Sequence, residues 1–283
     1  MKVGIIGYGF VGKAIHSGFK KNVQVLAIDP KLNTHISDLI ILNPDIIFVS
    51  VPTPVSSDGL SQDVSILEQA IFEIKKNKID SLVVIKSTVL PIHLEKIYNE
   101  NRKIVYNPEF LREKTATEDF INSNLIIFGG EKKFSKTLAS FYKNHTKCKC
   151  TEYTFTDIIS ASLIKYTINT FLSTKVIFFN ELKNLFDISG SKISWDDFIS
   201  ALSRDDRIGY SHMQVPGHDG RKGFGGACLP KDSYALLKFA EKVGEPLTLL
   251  EKVVEINSKI RSSYSKQTKR EISQNIKFNK SND

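Results

Sequence analysis

Several features are scarce in this 283-residue sequence, and each absence excludes a class of protein. No apolar run reaches the ~20 residues that cross a bilayer, so we expect no membrane anchor. No signal-peptide pattern precedes the strand-like residues 3–6, so we expect a cytoplasmic protein. The three cysteines are too few for a disulfide framework, and the spacing of Cys148 and Cys150 is too tight for the usual zinc motif. The six histidines lack ligand spacing, and we assign no metal.

The net charge of +8 raises the question of nucleic-acid binding. Residues 259–283 hold seven basic and two acidic residues, so most of the excess charge lies in this tail. A basic terminus rich in Ser and Asn is usually solvated or frayed, and we expect that here. Because no stripe of Arg and aromatic residues crosses a predicted sheet or helix, we expect no nucleic-acid partner.

Short apolar runs alternate with helix-like stretches over the first half of the chain, a pattern typical of βα units. It predicts an α/β fold with an N-terminal Rossmann-type, doubly wound parallel sheet. The candidate strands are Val3–Ile6, Val23–Ile28, Ile46–Ser50, Leu82–Ile85, Lys103–Tyr106 and Leu125–Phe128. Helical patterns lie between them, notably at Val64–Lys75 and Phe134–Tyr142.

After Cys150 the pattern becomes helical. Residues 156–186 contain no Gly or Pro and predict one long helix or a tight helix pair, and Trp195–Leu202 predicts a short helix. Residues 203–230 hold six glycines and two prolines, and a loop of that length is typically functional or disordered. Helical spacing returns from Lys231 to Tyr264. We therefore expect an NAD-binding domain over 1–150, a helical catalytic and dimerisation domain over 151–265 and a basic tail over 266–283.

The segment Gly7–Gly12 (GYGFVG) follows the first strand and opens a helix. In this setting Gly7 permits the tight turn, Gly9 lets the backbone approach a pyrophosphate, and Gly12 allows close packing of helix and strand. The helix N-terminus offers N–H groups and a partial positive charge to phosphates. Asp29 ends the second strand, where an acid binds the adenosine ribose and repels a 2′-phosphate. Together these residues predict NAD as the cofactor.

Polar side chains of types that bind ligands or take part in catalysis follow later strands. Two loops, VPTP (51–54) and KSTV (86–89), lie at carboxyl ends of strands, where ligands bind in such sheets. Taken alone, each of these patterns favours a simple turn over a binding site. An acidic pair, Glu109 and Glu113, follows the fifth strand. Lys165 and Asn169 are four residues apart on the predicted long helix and share a face.

Cys228 stands near the end of the glycine-rich loop. Pro230 suits the first turn of a helix, which places Cys228 just ahead of a helix N-terminus. That position lowers the pKa of a thiol and makes it a nucleophile. A cysteine buried in a flexible loop without a chemical role is the alternative.

Eight segments, in one order along nearly the whole chain, resemble the UDP-glucose/GDP-mannose dehydrogenase family. They are GYGFVG (7–12), VPTP (51–54), KSTV (86–89), NPEFLRE (107–113), the helix with Lys165 and Asn169, DRIG (206–209), HMQVPG (212–217) and GFGGACLPKD (223–232). The resemblance implies oxidation of a nucleotide sugar, UDP-glucose to UDP-glucuronate, with two NAD⁺ and a covalent intermediate on Cys228.

The resemblance also implies roles for single residues. Lys165 and Asp232 would handle protons and the developing alkoxide, and Asn169 would hold an oxygen or water. Glu109 would assist the hydrolysis. Thr88 would position water or the cofactor. The implied cofactor contacts are Gly7, Gly9, Phe10, Val11, Gly12, Asp29, Pro52, Thr53, Ser87, Thr88 and Glu113. The implied substrate contacts are Arg207, which reaches across a subunit boundary, and Phe110, Leu111, Phe224 and Gly225. The expected partner is a second copy, packed through the long central helix and the apolar helix from Lys231.

The sequence departs from the family in three places. The chain stops soon after the central helix, where relatives continue into a domain that binds the nucleotide. Lys114 replaces a usual glycine, and the glycine usual after Pro91 is missing. We keep three interpretations: a natural short form, a fragment or subunit that needs a partner domain, and a non-catalytic NAD-binding dimer. A 3-hydroxyacid dehydrogenase is a further alternative, but it offers no role for Cys228.

Overall fold

The computed structural model describes residues 1–57 and 61–278. These residues form two compact units. The first holds Met1–Thr53 and Gln62–Lys165, and the second holds the described parts of Pro54–Ser61 and Tyr166–Asp283. The domain boundaries drawn from the sequence stay a prediction.

A seven-stranded sheet dominates the first unit, in the order β2-β1-β3-β4-β5-β6-β7. The strands are β1 (Lys2–Ile6), β2 (Gln24–Ile28), β3 (Ile46–Val49), β4 (Leu82–Ile85), β5 (Ile104–Tyr106), β6 (Ile127–Gly130) and β7 (Thr154–Thr156). The predicted Rossmann-type fold class is confirmed, with one correction. Strand β6 pairs antiparallel with β5, and β7, which the sequence did not predict, pairs parallel with β6. The three residues of β7 are mostly exposed and carry too weak a pattern to identify a strand.

Both faces of the sheet are buried, as expected for strands covered by crossover helices. In β3, Ile47 and Val49 enter one apolar cluster, whereas Ile46 and Phe48 enter the cluster on the other face. The helices are α1 (Phe10–Ser17), α2 (Leu39–Leu42), α3 (Ser65–Lys76), α4 (Pro91–Glu100), α5 (Ala116–Ile121) and α6 (Lys132–His145). Short 3₁₀ helices occupy Pro30–Leu32, Ile36–Asp38 and Glu113–Thr115. The strand order reverses between β1 and β3, and ligands of such sheets bind at that reversal.

The second unit is helical. Its helices are α7 (Ile158–Ile188, whose first turns belong to the first unit), α8 (Trp195–Leu202), α9 (Leu229–Lys242), α10 (Thr248–Ser262) and α11 (Lys269–Ser273). The predicted long helix is confirmed as one helix of 31 residues. The stretch from Lys231 to Tyr264 is two helices, because Gly244 adopts a left-handed φ of +85° after α9 and Pro246 follows it. No helix in the described ranges is long and apolar enough to cross a membrane.

The expectation of a solvated tail is wrong for residues 268–276. Thr268 and Glu271 form a capping box that starts α11. Glu271 is fully buried and Ile276 is 6% exposed, so this part of the tail packs onto the protein. Residues 279–283 of the predicted basic tail lie outside the described residues.

Candidate active site

The glycine loop between β1 and α1 is built as a phosphate cradle. Gly7 has a φ of +87°, and a Cβ there would lie 2.6 Å from the Ser50 carbonyl oxygen. A Cβ at Gly12 would lie 2.3 Å from the Gly7 carbonyl oxygen. At Gly9, by contrast, a Cβ would meet no atom within 4 Å, so the backbone faces open space. No side chain caps α1 and no acid lies in its first turn, which Phe10 and Val11 begin, so its N–H groups suit a pyrophosphate.

Asp29 lies beside this loop at the end of β2. Its Oδ2 accepts a hydrogen bond from the Tyr8 N–H (2.8 Å), and its Oδ1 accepts one from the Lys31 N–H (2.9 Å). These bonds fix the carboxylate next to the cradle. Each oxygen keeps a lone pair that can accept a ribose hydroxyl. The residues present therefore fit a dinucleotide without a 2′-phosphate.

The VPTP and KSTV loops are joined to each other by side-chain hydrogen bonds. The Thr53 hydroxyl donates to the Thr88 carbonyl oxygen (2.7 Å), and the Ser87 hydroxyl donates to the Val51 carbonyl oxygen (2.7 Å). Thr53 and Ser87 are buried, whereas Pro52 is exposed and Thr88 is half-buried. The two hydroxyls thus hold the loops together, and their contact with a cofactor stays a prediction.

Glu113 lies in a groove at the start of α1. The groove has a volume of about 310 Å³ and is lined by Phe10, Lys13, Glu113, Lys114 and residues of α5. The structure therefore brings the predicted cofactor contacts Phe10 and Glu113 to one surface. Lys114 lines the same groove.

Glu109 and Lys165 form a buried ion pair in the first unit. The Lys165 Nζ donates to the Glu109 carbonyl oxygen (2.5 Å) and lies 3.7 Å from Glu109 Oε1. The other carboxylate oxygen accepts a hydrogen bond from the Leu111 N–H (2.6 Å), and the Phe110 ring lies 5.0 Å below the ammonium. Lys165 is 3% exposed and Glu109 is 9% exposed. The ion pair is therefore shielded from bulk water.

Sequence reasoning missed a buried lysine beside this pair. The Lys86 Nζ donates to Asn107 Oδ1 (2.9 Å), which also accepts from the Tyr142 hydroxyl (2.6 Å). Burial lowers the pKa of Lys86 to about 7, and nearby Lys165 lowers it too, whereas Glu109 acts in the opposite direction. Lys86 and Asn107 line a small cavity together with Glu109, Phe110 and Leu111. A lysine directly after a fully apolar strand was the available signal, because such a position is buried.

Cys228 and Asp232 occupy the first turn of α9 in the second unit. Cys228 is the half-buried N-cap residue, as its place before Pro230 predicted. Asp232 is 1% exposed and accepts hydrogen bonds from Asn169 Nδ2 (2.5 Å) and from Lys231 Nζ (2.5 Å). Sequence reasoning missed Lys231, although it stands next to Asp232 in the motif. The arrangement is a buried carboxylate with two donors, one helical turn after the thiol.

The predicted substrate contacts have different environments. Phe224 is 4% exposed and packs against Ile177 and Val253, so its side chain belongs to the core. Gly225 lies against Arg261, whose Nη2 would be 2.1 Å from a Cβ. The Arg207 side chain is 89% exposed and pairs with Asp205 (2.5 Å).

The loop that carries Arg207 is held by α7. Lys175 Nζ donates to the carbonyl oxygens of Ile208 (2.8 Å) and Gly209 (2.9 Å). Burial lowers the pKa of Lys175. Over the described ranges no group of three or more His, Cys, Asp or Glu side chains could hold a metal ion.

Comparison with known proteins gives one family over most of the chain. Residues 31–146 match the NAD binding domain of the UDP-glucose/GDP-mannose dehydrogenase family, and residues 159–259 match its central domain. The chain is 35% identical over 243 residues to UDP-glucose 6-dehydrogenase of Rickettsia conorii, covering 83% of this chain and 54% of that protein. It is 34% identical over 225 residues to UDP-glucose 6-dehydrogenase YwqF of Bacillus subtilis, covering 76% and 48%.

The fold comparison agrees. A UDP-glucose dehydrogenase from the hyperthermophilic archaeon Pyrobaculum islandicum superposes with a TM-score of 0.76 at 26% identity, covering 90% of this chain and 67% of that one. The chain spans about half the length of the curated relatives it matches. The NAD-binding match confirms the cofactor predicted from the glycine loop and Asp29. Because two domains of one family match in order, the chain belongs to the UDP-glucose/GDP-mannose dehydrogenase family.

Proposed function

We propose that the protein is an NAD-dependent nucleotide-sugar dehydrogenase that oxidises UDP-glucose to UDP-glucuronate. Membership of the family and relatives named UDP-glucose 6-dehydrogenase support the reaction class and the sugar. The single observation that carries the proposal is the first turn of α9. There a half-buried thiol precedes a buried carboxylate held by Asn169 and Lys231.

Residues of the first unit would hold the cofactor. The Gly9 backbone and the N-terminus of α1 suit the pyrophosphate, and Asp29 suits the adenosine ribose. Pro52, Thr53, Ser87, Thr88 and Glu113 would flank the rest of the dinucleotide. Two molecules of NAD⁺, bound one after the other, would each take up one hydride from the sugar carbon.

The first oxidation needs a group that removes the hydroxyl proton. Lys165 and Asp232 are the candidates, because both are buried and hydrogen-bonded. Lys165 and Asn169 are one turn apart on α7 and share a face. Asn169 would hold the sugar oxygen or a water, Asp232 would take up the hydroxyl proton, and the Lys165 ammonium would stabilise the developing alkoxide.

Cys228 would then trap the aldehyde. Its thiolate adds to the carbonyl carbon, a C–S bond forms, and the oxygen takes a proton to give a thiohemiacetal. Loss of that proton with the second hydride leaves a thioester. Glu109 removes a proton from water, the water adds to the thioester carbon, and the C–S bond breaks to release the acid and the thiolate.

We also propose that the protein acts as a homodimer through α7. Phe171, Phe178 and Leu185 are seven residues apart and therefore share one face of the helix. They are 65%, 58% and 60% exposed, an unusual exposure for large apolar side chains in a row. In such a dimer, the partner subunit's Arg207 reaches the substrate.

The direct test mixes the purified protein with NAD⁺ and UDP-glucose and follows NADH by absorbance. We expect two NADH per sugar for the wild type and no sustained turnover for Cys228→Ser, because the serine hydroxyl is a far weaker nucleophile. Binding of NAD⁺ without NADH production, over a panel of nucleotide sugars, would contradict the proposal and favour a non-catalytic NAD-binding protein.

A further inference from the structure

The backbone just before Cys228 is held by buried amide side chains. Asn257 Oδ1 accepts a hydrogen bond from the Phe224 N–H (2.7 Å), and Asn257 Nδ2 donates to the Phe224 carbonyl oxygen (3.0 Å). Asn180 Oδ1 accepts one from the Gly223 N–H (2.9 Å). Asn257 is 2% exposed and Asn180 is 3% exposed. These two asparagines, on α10 and α7, replace the backbone partners that an irregular loop lacks.

A buried ion pair holds the next residues of the loop. Arg261 Nη2 lies 2.7 Å from Glu271 Oε1, and Arg261 Nη1 lies 2.8 Å from Asp219 Oδ2. Glu271 Oε1 also accepts a hydrogen bond from the Gly226 N–H (3.3 Å). The side chains of Arg261 and Glu271 are each 1% exposed. Both residues lie beyond residue 259, where the match to the central domain ends.

The pair lies directly against the loop. A Cβ at Gly225 would be 2.1 Å from Arg261 Nη2 and 2.6 Å from Glu271 Oε1, so only glycine fits between them. Gly226, which bonds to Glu271, is two residues before Cys228. The loop backbone therefore cannot move without disturbing the ion pair.

Glu271 is itself held by the chain around it. Its Oε2 accepts a hydrogen bond from the Thr268 N–H (2.7 Å). Two further bonds connect this segment to Val55: the Val55 N–H donates to the Gln274 carbonyl oxygen (3.2 Å), and Asn275 Nδ2 donates to the Val55 carbonyl oxygen (2.9 Å). The segment 268–276 is thus fixed at both ends, with Glu271 aimed at the glycine loop.

We propose that Arg261 and Glu271 are positioning residues for Cys228: the buried pair fixes Gly225 and Gly226 and thereby keeps the thiol at the N-terminus of α9. Removing one partner of a buried pair leaves an uncompensated charge, which disturbs the surrounding backbone. The role of the positioned thiol in catalysis rests on the proposed function. Its position at the N-terminus of α9 does not.

The test measures the reactivity of Cys228 in Glu271→Gln. Iodoacetamide modification is followed against pH and assigned to Cys228 by peptide mass spectrometry, with neither NAD⁺ nor sugar present. We expect the midpoint of the pH profile to rise by about one unit, which makes modification about tenfold slower on the acid side, because the loss of the helix N-terminal position outweighs the attraction of the unpaired Arg261 guanidinium for the thiolate. Glu255→Gln is the matched control, because Glu255 forms only exposed pairs with Lys252 and Lys259, and we expect its profile to equal that of the wild type.

An unchanged profile in folded Glu271→Gln overturns the proposal, even if the melting temperature falls. Should Glu271→Gln fail to fold, the double variant Arg261→Met with Glu271→Met decides, because apolar replacement of a buried pair commonly preserves stability. The double variant removes the acceptor for the Gly226 N–H, so we expect the midpoint of the pH profile to rise as in Glu271→Gln. A pH profile equal to that of the wild type refutes the inference. Absence of dehydrogenase activity in the wild type contradicts the proposed function. The reactivity of Cys228 towards iodoacetamide can still be measured and compared in that case.

Discussion

Lys86 makes the cost of a buried cation measurable. Its side chain is 4% exposed, and its pKa falls from 10.5 to about 7. Above pH 7 the folded protein therefore holds Lys86 neutral, while the unfolded chain still binds the proton up to pH 10.5. The unfolded state binds more protons across this window, so the free energy of unfolding rises with pH. Protonation of the unfolded chain opposes folding by about 4 kcal/mol at pH 7 and about 2 kcal/mol at pH 9.

Lys86→Met removes this opposing contribution while keeping the length of the side chain. Asn107 Oδ1 retains the Tyr142 hydroxyl as a donor, so the substitution leaves that oxygen paired. We expect the variant to be more stable than the wild type at pH 7, by at most about 4 kcal/mol, with the gap narrowing by about 2 kcal/mol at pH 9.

The assay is urea unfolding followed by circular dichroism at both pH values, since the single tryptophan, Trp195, lies in the second unit. Lys76→Met, on an exposed lysine (63%), is the control and should show no gap that depends on pH. An equal difference between Lys86→Met and the wild type at pH 7 and pH 9 would refute a neutral Lys86.

Two other substitutions test the cradle and the exposed face of α7. Gly7→Ala forces a residue with a Cβ to adopt a φ of +87°, with the Cβ 2.6 Å from the Ser50 carbonyl oxygen. We expect the free energy of unfolding to fall by about 1–3 kcal/mol and calorimetry to show weaker NAD⁺ binding. Unchanged NAD⁺ binding would contradict the assignment of this loop as the phosphate cradle. Phe178→Glu replaces an apolar side chain that is 58% exposed by a charged one. We expect a dimeric mass to become monomeric in sedimentation. Asp187→Asn is the control, because Asp187 is nine residues further along α7 and therefore on the opposite side of the helix. A wild type that is monomeric at every concentration would contradict the dimer.

Local patterns were enough to predict the sheet and the cradle. Strands β1 to β6 are short apolar runs, and the glycines at 7, 9 and 12 stand between a strand and a helix, as a dinucleotide-binding turn requires. The same holds for Cys228, whose place at a helix start follows from Pro230. These features depend on neighbours in sequence, so the sequence indicates them directly.

Features that depend on distant partners were not predictable. The direction of β6 is not encoded in its apolar pattern, and the antiparallel pairing with β5 became visible only in the fold. The tail looked solvated because Glu271 is surrounded by Lys and Ser in sequence, yet its partner Arg261 removes it from water. Lys86 was treated as part of a turn, although its acceptor, Asn107, lies 21 residues away.

The bonds from Lys175 to the carbonyl oxygens of Ile208 and Gly209 tie the Arg207 loop to the same helix that exposes Phe171 and Phe178. In the proposed dimer, the copy that packs on that face would therefore also determine where the Arg207 guanidinium can reach. If the second copy were shifted along α7 by one helical turn, the substrate site that Arg207 is proposed to reach would move by about 5.4 Å, which is too far for a hydrogen bond to the guanidinium. In the proposed dimer, assembly in the wrong register would leave a folded complex with Arg207 out of range, and dehydrogenase activity would then report how the two copies align.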